Sequence, residues 1–202
     1  MRSASLSDKE LVIDIIAQTM NENRGTTWML KSADIKHLKN LAQYAFYKAY
    51  YKKGAYISSN NKGLALCFKF NTPLKSITPI IHEIIFFIKS VKISSIPKIL
   101  KLEAYKKKQR PAHGEYLYFW FFSTLKGCDN AGYELKNEIF NLSKKKQLPI
   151  YAETSRLRNK IVYEYFGFKT YHYFEDKNKD LQYWFMKWES QTFTKVERFY
   201  PV

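Results

Sequence analysis

Apolar residues recur at helical spacing over the first fifty positions. Leu11, Ile15, Ile16 and Met20 share one face of a predicted helix, which Ser7 and Glu10 open as a capping box. Arg24-Gly25-Thr26-Thr27 breaks that pattern. Ser32 then caps a second helix, Ala33 to Lys53, with Ile35, Leu38, Leu41, Ala42 and Ala45 on one face and Gly54 at its C′ position. The pattern next shortens to that of strands. Ala55 to Ser58 and Leu64 to Phe70 flank the turn residues Ser59-Asn60-Asn61-Lys62-Gly63, which predicts a hairpin. Pro79 and Pro97 sit where a first helical turn tolerates proline, and helices are predicted over 79–91 and 97–108.

The second half is more regular. Glu115 to Ser123 is almost wholly aromatic and apolar, as a strand covered on both faces must be. A helix follows over Ala131 to Lys146 with Leu135, Ile139 and Leu142 inward, then a strand from Leu148 to Glu153 and a helix from Leu157 to Phe166, ending at Gly167. Phe168 to Phe174 and Leu181 to Trp188 form a hairpin across Glu175 to Asp180. The fold class is α+β, a mixed sheet with helices packed on it, and no linker divides residues 1–202 into separate domains.

Composition narrows the class. At 202 residues and 46% hydrophobic content, the chain can bury a core without a disulfide or metal staple. The longest apolar run, Pro79 to Ile88, contains His82 and Glu83 and is too short to span a membrane, so no membrane partner is expected. The N-terminus lacks the apolar segment of a signal peptide. Cys67 and Cys128 form no metal-spaced pair and the four histidines are scattered, so no metal site is expected and a reducing cytoplasm is. The net charge of +16 points to an anionic partner, either nucleic acid or a nucleotide cofactor. Its lysines are spread over several elements rather than gathered on one, which disfavours a groove-reading helix.

Two β–α junctions carry the chemistry. A buried strand, a glycine-bearing loop and a helix N-terminus over Tyr116 to Gly132 make a ready anion site. The second unit runs from Glu153-Thr154-Ser155 through Arg158-Asn159 to Tyr163-Glu164-Tyr165-Phe166-Gly167-Phe168. This resembles the Gcn5-related N-acetyltransferase (GNAT) superfamily, and His113 to Phe119 and Gly127 to Gly132 fall in register with that family's central strand and acyl-CoA loop. The resemblance covers residues 115–188, the expected acyl-CoA-binding half. Residues 1–110 supply the acceptor-side helices and first hairpin.

The resemblance implies a mostly antiparallel sheet splayed at its centre, helices on both faces, and acetyl-CoA as acyl donor. It implies that Trp120, Phe121 and Phe122 hold the pantetheine arm by their backbone. Gly127, Cys128, Asp129, Asn130, Ala131, Gly132 and Tyr133 would hold the pyrophosphate, with Arg156 and Asn159 nearby. Cys128, Asn130 and Arg156 stand where the family usually has Gly, Gly and Asn, and Lys126 offsets the charge of Asp129. Tyr163 matches the general acid that protonates the departing thiolate. Glu153 and Glu115, and less so His113, are the candidate proton acceptors for an attacking ammonium. The implied activity is transfer of an acetyl group to an amine by direct attack. Two rival readings remain: a CoA-binding or inactive relative serving interaction, and a basic nucleic-acid-binding module.

Overall fold

The computed structural model describes residues 1–21, 23–32, 34–176 and 181–190, and at residues 24 and 129 the backbone alone. Ala33, the expected start of the second helix, and residues 177–180 of the expected hairpin turn lie outside the described residues.

Strand β1 (Arg2–Ser3) and a short 3-10 turn lead into helix α1 (Lys9–Met20). The capping box forms two residues earlier than the sequence suggests. The Ser5 amide donates to Asp8 Oδ2 at 2.8 Å, and Arg2 grips both oxygens of that carboxylate at 2.7 and 2.8 Å. Asp8 wins over Glu10 because β1 delivers a guanidinium to it, whereas Glu10 is exposed and pairs with its neighbour Lys9. After the single turn α2 (Arg24–Thr27), helix α3 (Ile35–Tyr51) is capped by Asp34 rather than Ser32, since Asp34 accepts the Lys36 amide at 2.9 Å. Its buried apolar stripe begins at Leu38, next to buried His37, and Ile35 is left exposed.

The end of α3 corrects the role of Gly54. The left-handed residue there is Lys53, with φ at 57°. A Cβ on Gly54 would lie 2.3 Å from the Cys67 carbonyl oxygen and 2.5 Å from Phe68 Cβ. Gly54 is therefore required by close approach to the neighbouring strand rather than by backbone handedness.

The hairpin β2 (Ala55–Ile57) and β3 (Gly63–Lys69) follows, then helices α4 (Thr78–Ser90) and α5 (Ile96–Gln109), each with proline in its first turn. Strand β4 (Leu117–Thr124), helix α6 (Asp129–Lys146), strand β5 (Ile150–Thr154), helix α7 (Leu157–Tyr165) and strands β6 (Lys169–Asp176) and β7 (Leu181–Trp188) complete the order. The seven strands make one sheet in the order β1-β2-β3-β4-β5-β7-β6, antiparallel throughout except between β4 and β5.

Helices cover both faces of the sheet. One core joins α1 and α3 to β3 and β4 through Ile16, Phe46, Leu66 and Tyr118. The other seats Leu135 and Ile139 of α6 on Leu117, Phe119, Ala152 and Met186. Strand β4 contributes to both cores, which explains its nearly unbroken aromatic and apolar run.

Candidate active site

The centre of the sheet opens at one pair of residues. Strands β4 and β5 pair only at Leu117–Ile150, Tyr118–Tyr151 and Phe119–Ala152. Beyond that point β4 continues to Thr124 beside β3 alone, and β5 continues through Glu153 and Thr154 beside β7 alone. A bulge sits at the opening. Cys67 faces Phe119 and Leu66 faces Phe121, so Trp120 is the extra residue. An extra residue bends its strand and increases the local twist, which is the deformation that parts β4 from β5.

The bulge also sorts the three residues expected to meet a pantetheine arm. Trp120 turns toward α3, edge-on to Tyr44 with ring centroids 5.5 Å apart, and Phe121 joins the same core. Phe122 points to the opposite face, 5.2 Å from the Phe119 ring. Their peptide edge toward β5 has no strand beside it, so the backbone there can pair with an extended ligand in the manner of an added strand.

The loop at the wide end of the opening is compact. The Leu125 amide donates to the Lys62 carbonyl at 2.9 Å, and Gly127 takes φ of +74°, a conformation that favours glycine. Cys128 is the N-cap residue of α6 and its side chain makes no capping hydrogen bond. Its Sγ folds back to 3.7 Å from the Lys126 carbonyl oxygen. The first turn of an α-helix leaves its amides without intrahelical partners, and α6 opens with that turn at Asp129 and Asn130.

Two expected loop residues have other work. The Ala131 amide donates to the Cys128 carbonyl, and its side chain is buried where a Cβ on Gly63 would meet it at 3.0 Å. Ala131 thus packs α6 against β3. Tyr133 is half exposed and stands edge-on to Phe166. Gly132 lies beside Thr124 and Phe122, close to the open edge of β4.

Helix α7 begins at Arg156, its N-cap residue, and carries Asn159 and Tyr163 one turn apart on the same face. The helix ends in a Schellman motif. The Phe168 amide donates to the Tyr163 carbonyl at 3.0 Å and the Gly167 amide to the Glu164 carbonyl at 2.9 Å, with Gly167 at φ of +90°. That motif commonly brings a hydrophobic contact between its first and last residues, and the Tyr163 and Phe168 rings lie 5.3 Å apart. Packing therefore explains the ring of Tyr163 and the spacing to Gly167-Phe168. It does not explain the hydroxyl, which has no hydrogen-bond partner among the described residues. Burial pushes this phenol above its usual range, so it stays protonated at neutral pH.

The two candidate carboxylates are far apart in character. Glu115 precedes β4 at the paired end of the strands, outside the opening, where it meets Lys69 at 2.7 Å and Asn71 at 2.5 Å. It does not reach the cleft, and neither does His113, whose Nδ1 accepts the Glu115 amide. Glu153 stands at the point of divergence, held at both oxygens by Arg110 at 2.6 and 2.7 Å and touched by the Tyr118 hydroxyl at 3.2 Å. The side chains of Arg110 and Glu153 are only 8% and 7% exposed. A carboxylate with both oxygens held by one guanidinium is engaged as a structural acceptor. The geometry gives Glu153 the part of a clamp joining the end of α5 to β4 and β5.

Sequence reasoning did not single out Arg110, Tyr118 or a second polar chain beside Trp120. There Lys48 Nζ donates to Tyr44 Oη at 2.7 Å, and Tyr44 donates to Glu83 at 2.9 Å. Lys48 Nζ lies 5.3 Å from the Trp120 ring centre, and burial lowers its affinity for the proton. The available signal was weak. Arg110 is the arginine that ends a lysine run, and arginine is the cation suited to a bidentate buried pair.

Comparison with known proteins bears on this arrangement. No family model matches the chain. Over 61 residues it is 38% identical to an uncharacterized N-acetyltransferase of Schizosaccharomyces pombe, a stretch covering 30% of this chain and 25% of that protein. The match thus spans about a quarter of that relative's length. Solved structures agree over nearly the whole chain. The C-terminal condensation domain of Ebony, in complex with beta-alanyl-dopamine, superposes with a TM-score of 0.69 at 14% identity, covering 94% of this chain and 97% of that one. Arylalkylamine N-acetyltransferase 2 from Aedes aegypti gives 0.64 at 15% identity, covering 93% and 97%. A Corynebacterium glutamicum protein named as histone acetyltransferase HPA2 and related acetyltransferase gives 0.61 at 14% identity, covering 93% and 94%. The chain has the acyl-CoA N-acyltransferase fold of the GNAT proteins, as residues 115–188 suggested.

Proposed function

We propose that this protein is an acyl-CoA-dependent N-acyltransferase that uses acetyl-CoA to acetylate an amine. One observation carries the reading: β4 and β5 part at Phe119 and Ala152, and the Tyr163 hydroxyl, without a hydrogen-bond partner among the described residues, stands on the helix that follows, its ring 6.1 Å from that of Phe119. The N-terminus of α6 closes the wide end of the same opening. The neighbours that share the fold include acetyltransferases, and the short match to the yeast relative points the same way.

In this reading acetyl-CoA is a substrate that supplies an activated thioester. The free edge of β4 from Trp120 to Thr124 orients its pantetheine arm. The amides of Cys128, Asp129 and Asn130, with the dipole of α6, hold the pyrophosphate, and Arg156 and Asn159 flank it. The neutral amine attacks the thioester carbonyl, the carbon–sulfur bond breaks, and Tyr163 gives its proton to the sulfur; the proton that the nitrogen loses passes through solvent and restores the phenol. A neutral phenol suits this step because it can hydrogen-bond sulfur as negative charge develops there. Holding both reactants in one cleft supplies proximity. Both cysteines are free thiols, which fits a reducing cytoplasm.

Calorimetry of acetyl-CoA on wild type and Cys128→Trp tests the donor site. Micromolar binding to wild type, lost when the indole fills the loop, supports it. No heat at millimolar acetyl-CoA overturns it. Binding without release of free thiol across a panel of primary amines would favour the non-catalytic relative instead.

A further inference from the structure

Helix α4 presents an apolar face that nothing described in the chain covers. Ile77, Ile80, Ile81, Ile84 and Ile88 are between 45% and 69% exposed. At helical periodicity these five positions fall within an arc of about 100°, one stripe along the whole helix. Ile93, just past its end, is 82% exposed. The inner face is fully used: His82 stacks on Tyr47 at 4.4 Å, Glu83 takes the Tyr44 hydroxyl, and Phe86 stacks on Tyr44 at 6.2 Å. Single exposed isoleucines are ordinary, but five in register mark an interaction surface.

The charges around the stripe narrow its occupant. Lys75 precedes α4, Lys89 and Lys92 follow the stripe at its other end, and all three are exposed. Lys31 reaches the same end, with Nζ 2.7 Å from the Ile88 carbonyl oxygen. Glu83, the acid on α4, turns inward. The surface thus has an apolar centre and cationic ends, on a chain of net charge +16. Two copies joined face to face would set basic ends against basic ends. A nucleic acid would want its cations at the centre of the footprint, where the isoleucines stand.

We propose that the outer face of α4 docks the protein on an anionic lipid surface, the isoleucines entering the acyl boundary and Lys31, Lys75, Lys89 and Lys92 meeting the headgroups. The 13 residues of α4 rise about 20 Å, so the helix lies on a bilayer rather than crossing it. Among the described residues no helix is long and apolar enough to cross. The proposal is independent of the acyltransferase reading, because the stripe lies on the outer side of α4, away from the opening of the sheet.

Flotation of the full chain with vesicles of phosphatidylcholine, with and without phosphatidylserine, tests it at low and high ionic strength. Wild type should float with phosphatidylserine vesicles at low salt and stay behind at high salt or with phosphatidylcholine alone. Ile84→Gln/Ile88→Gln should lower the partition roughly ten-fold or more, and Lys89→Gln/Lys92→Gln by roughly ten-fold. Both variants should keep the wild-type Tm and far-ultraviolet circular dichroism, which shows that the fold is intact. Absence of flotation by wild type, or flotation unchanged by the isoleucine substitutions, overturns the proposal. So does a dimer in sedimentation velocity that the isoleucine pair dissolves, which would give the face to a second copy.

Discussion

Replacing Arg110 by methionine tests whether Glu153 is a clamp or a base. The two side chains are almost sealed from solvent and share two hydrogen bonds, with the Tyr118 hydroxyl bridging at 2.9 Å from Arg110 and 3.2 Å from Glu153. Arg110→Met leaves a buried carboxylate without its countercharge, a change that costs about 3–5 kcal/mol. For a domain of this size that is a fall in Tm of roughly 6–20 °C. Adding Glu153→Gln removes the stranded charge while keeping an acceptor for the Tyr118 hydroxyl, so the double variant should recover at least about 2 kcal/mol. Urea unfolding of wild type, both single variants and the double variant gives the coupling energy directly. Turnover of the double variant then separates the two roles. A clamp predicts activity within a few-fold of wild type, whereas a general base predicts a loss of roughly 100-fold or more with stability largely restored. A loss of less than about 1 kcal/mol in Arg110→Met would refute the buried-pair argument itself.

Tyr163→Phe keeps the ring that the Schellman motif packs on Phe168 and removes a hydroxyl with no partner among the described residues. Its Tm should therefore stay near wild type while kcat falls roughly 100-fold or more, measured by release of free CoA thiol. Lys52 rests against the Phe68 and Phe70 rings, and burial, helped by nearby Lys48, pushes its ammonium down to about 8. Above that pH the unfolded chain, whose lysine titrates near 10.4, binds more protons than the folded one. Stability measured by urea titration should therefore rise from pH 8 to about 9.5, and Lys52→Met should flatten the rise; an unchanged slope would sink the assignment. Gly54→Ala should destabilise by about 1–3 kcal/mol through its clash with the β3 backbone, while Lys53→Gly should stabilise by up to about 1 kcal/mol by relieving a left-handed lysine. Thermal melts of the two variants check both signs.

Local patterns in the chain were enough to place α4, α5, α6, α7 and every strand from β2 to β7, because each stretch is a periodic or an unbroken apolar run bounded by its own turn or proline signal. The Tyr163, Gly167 and Phe168 spacing was legible for the same reason: a Schellman motif is closed by residues within six positions of one another. Caps were less legible. Ser7–Glu10 and Ser5–Asp8 compete on equal local terms, and the contest is decided by Arg2, which arrives on a strand held by β2.

The parts that remained hidden depend on residues far apart in sequence. Glu115 and Glu153 are both carboxylates beside buried strands, and sequence gave no means to choose between them. The parallel pairing of β4 and β5 leaves Glu115 at the closed end and Glu153 at the open end, where α5 brings Arg110 across 43 positions. The outer stripe of α4 was hidden in the same way. Its isoleucines and phenylalanines are apolar nearly all round the helix, so periodicity could not say which face α3 would cover. Apart from β1 and the single turn α2, which show no period of their own, the sequence by itself determined the elements, their order and the chemistry each could carry, because hydrogen-bonded turns and amphipathic periods are local. Only the tertiary structure decided where the sheet splits, which carboxylate is sealed in a buried pair and which isoleucines are left in water, because pairing, burial and desolvation depend on partners the chain brings together only when folded.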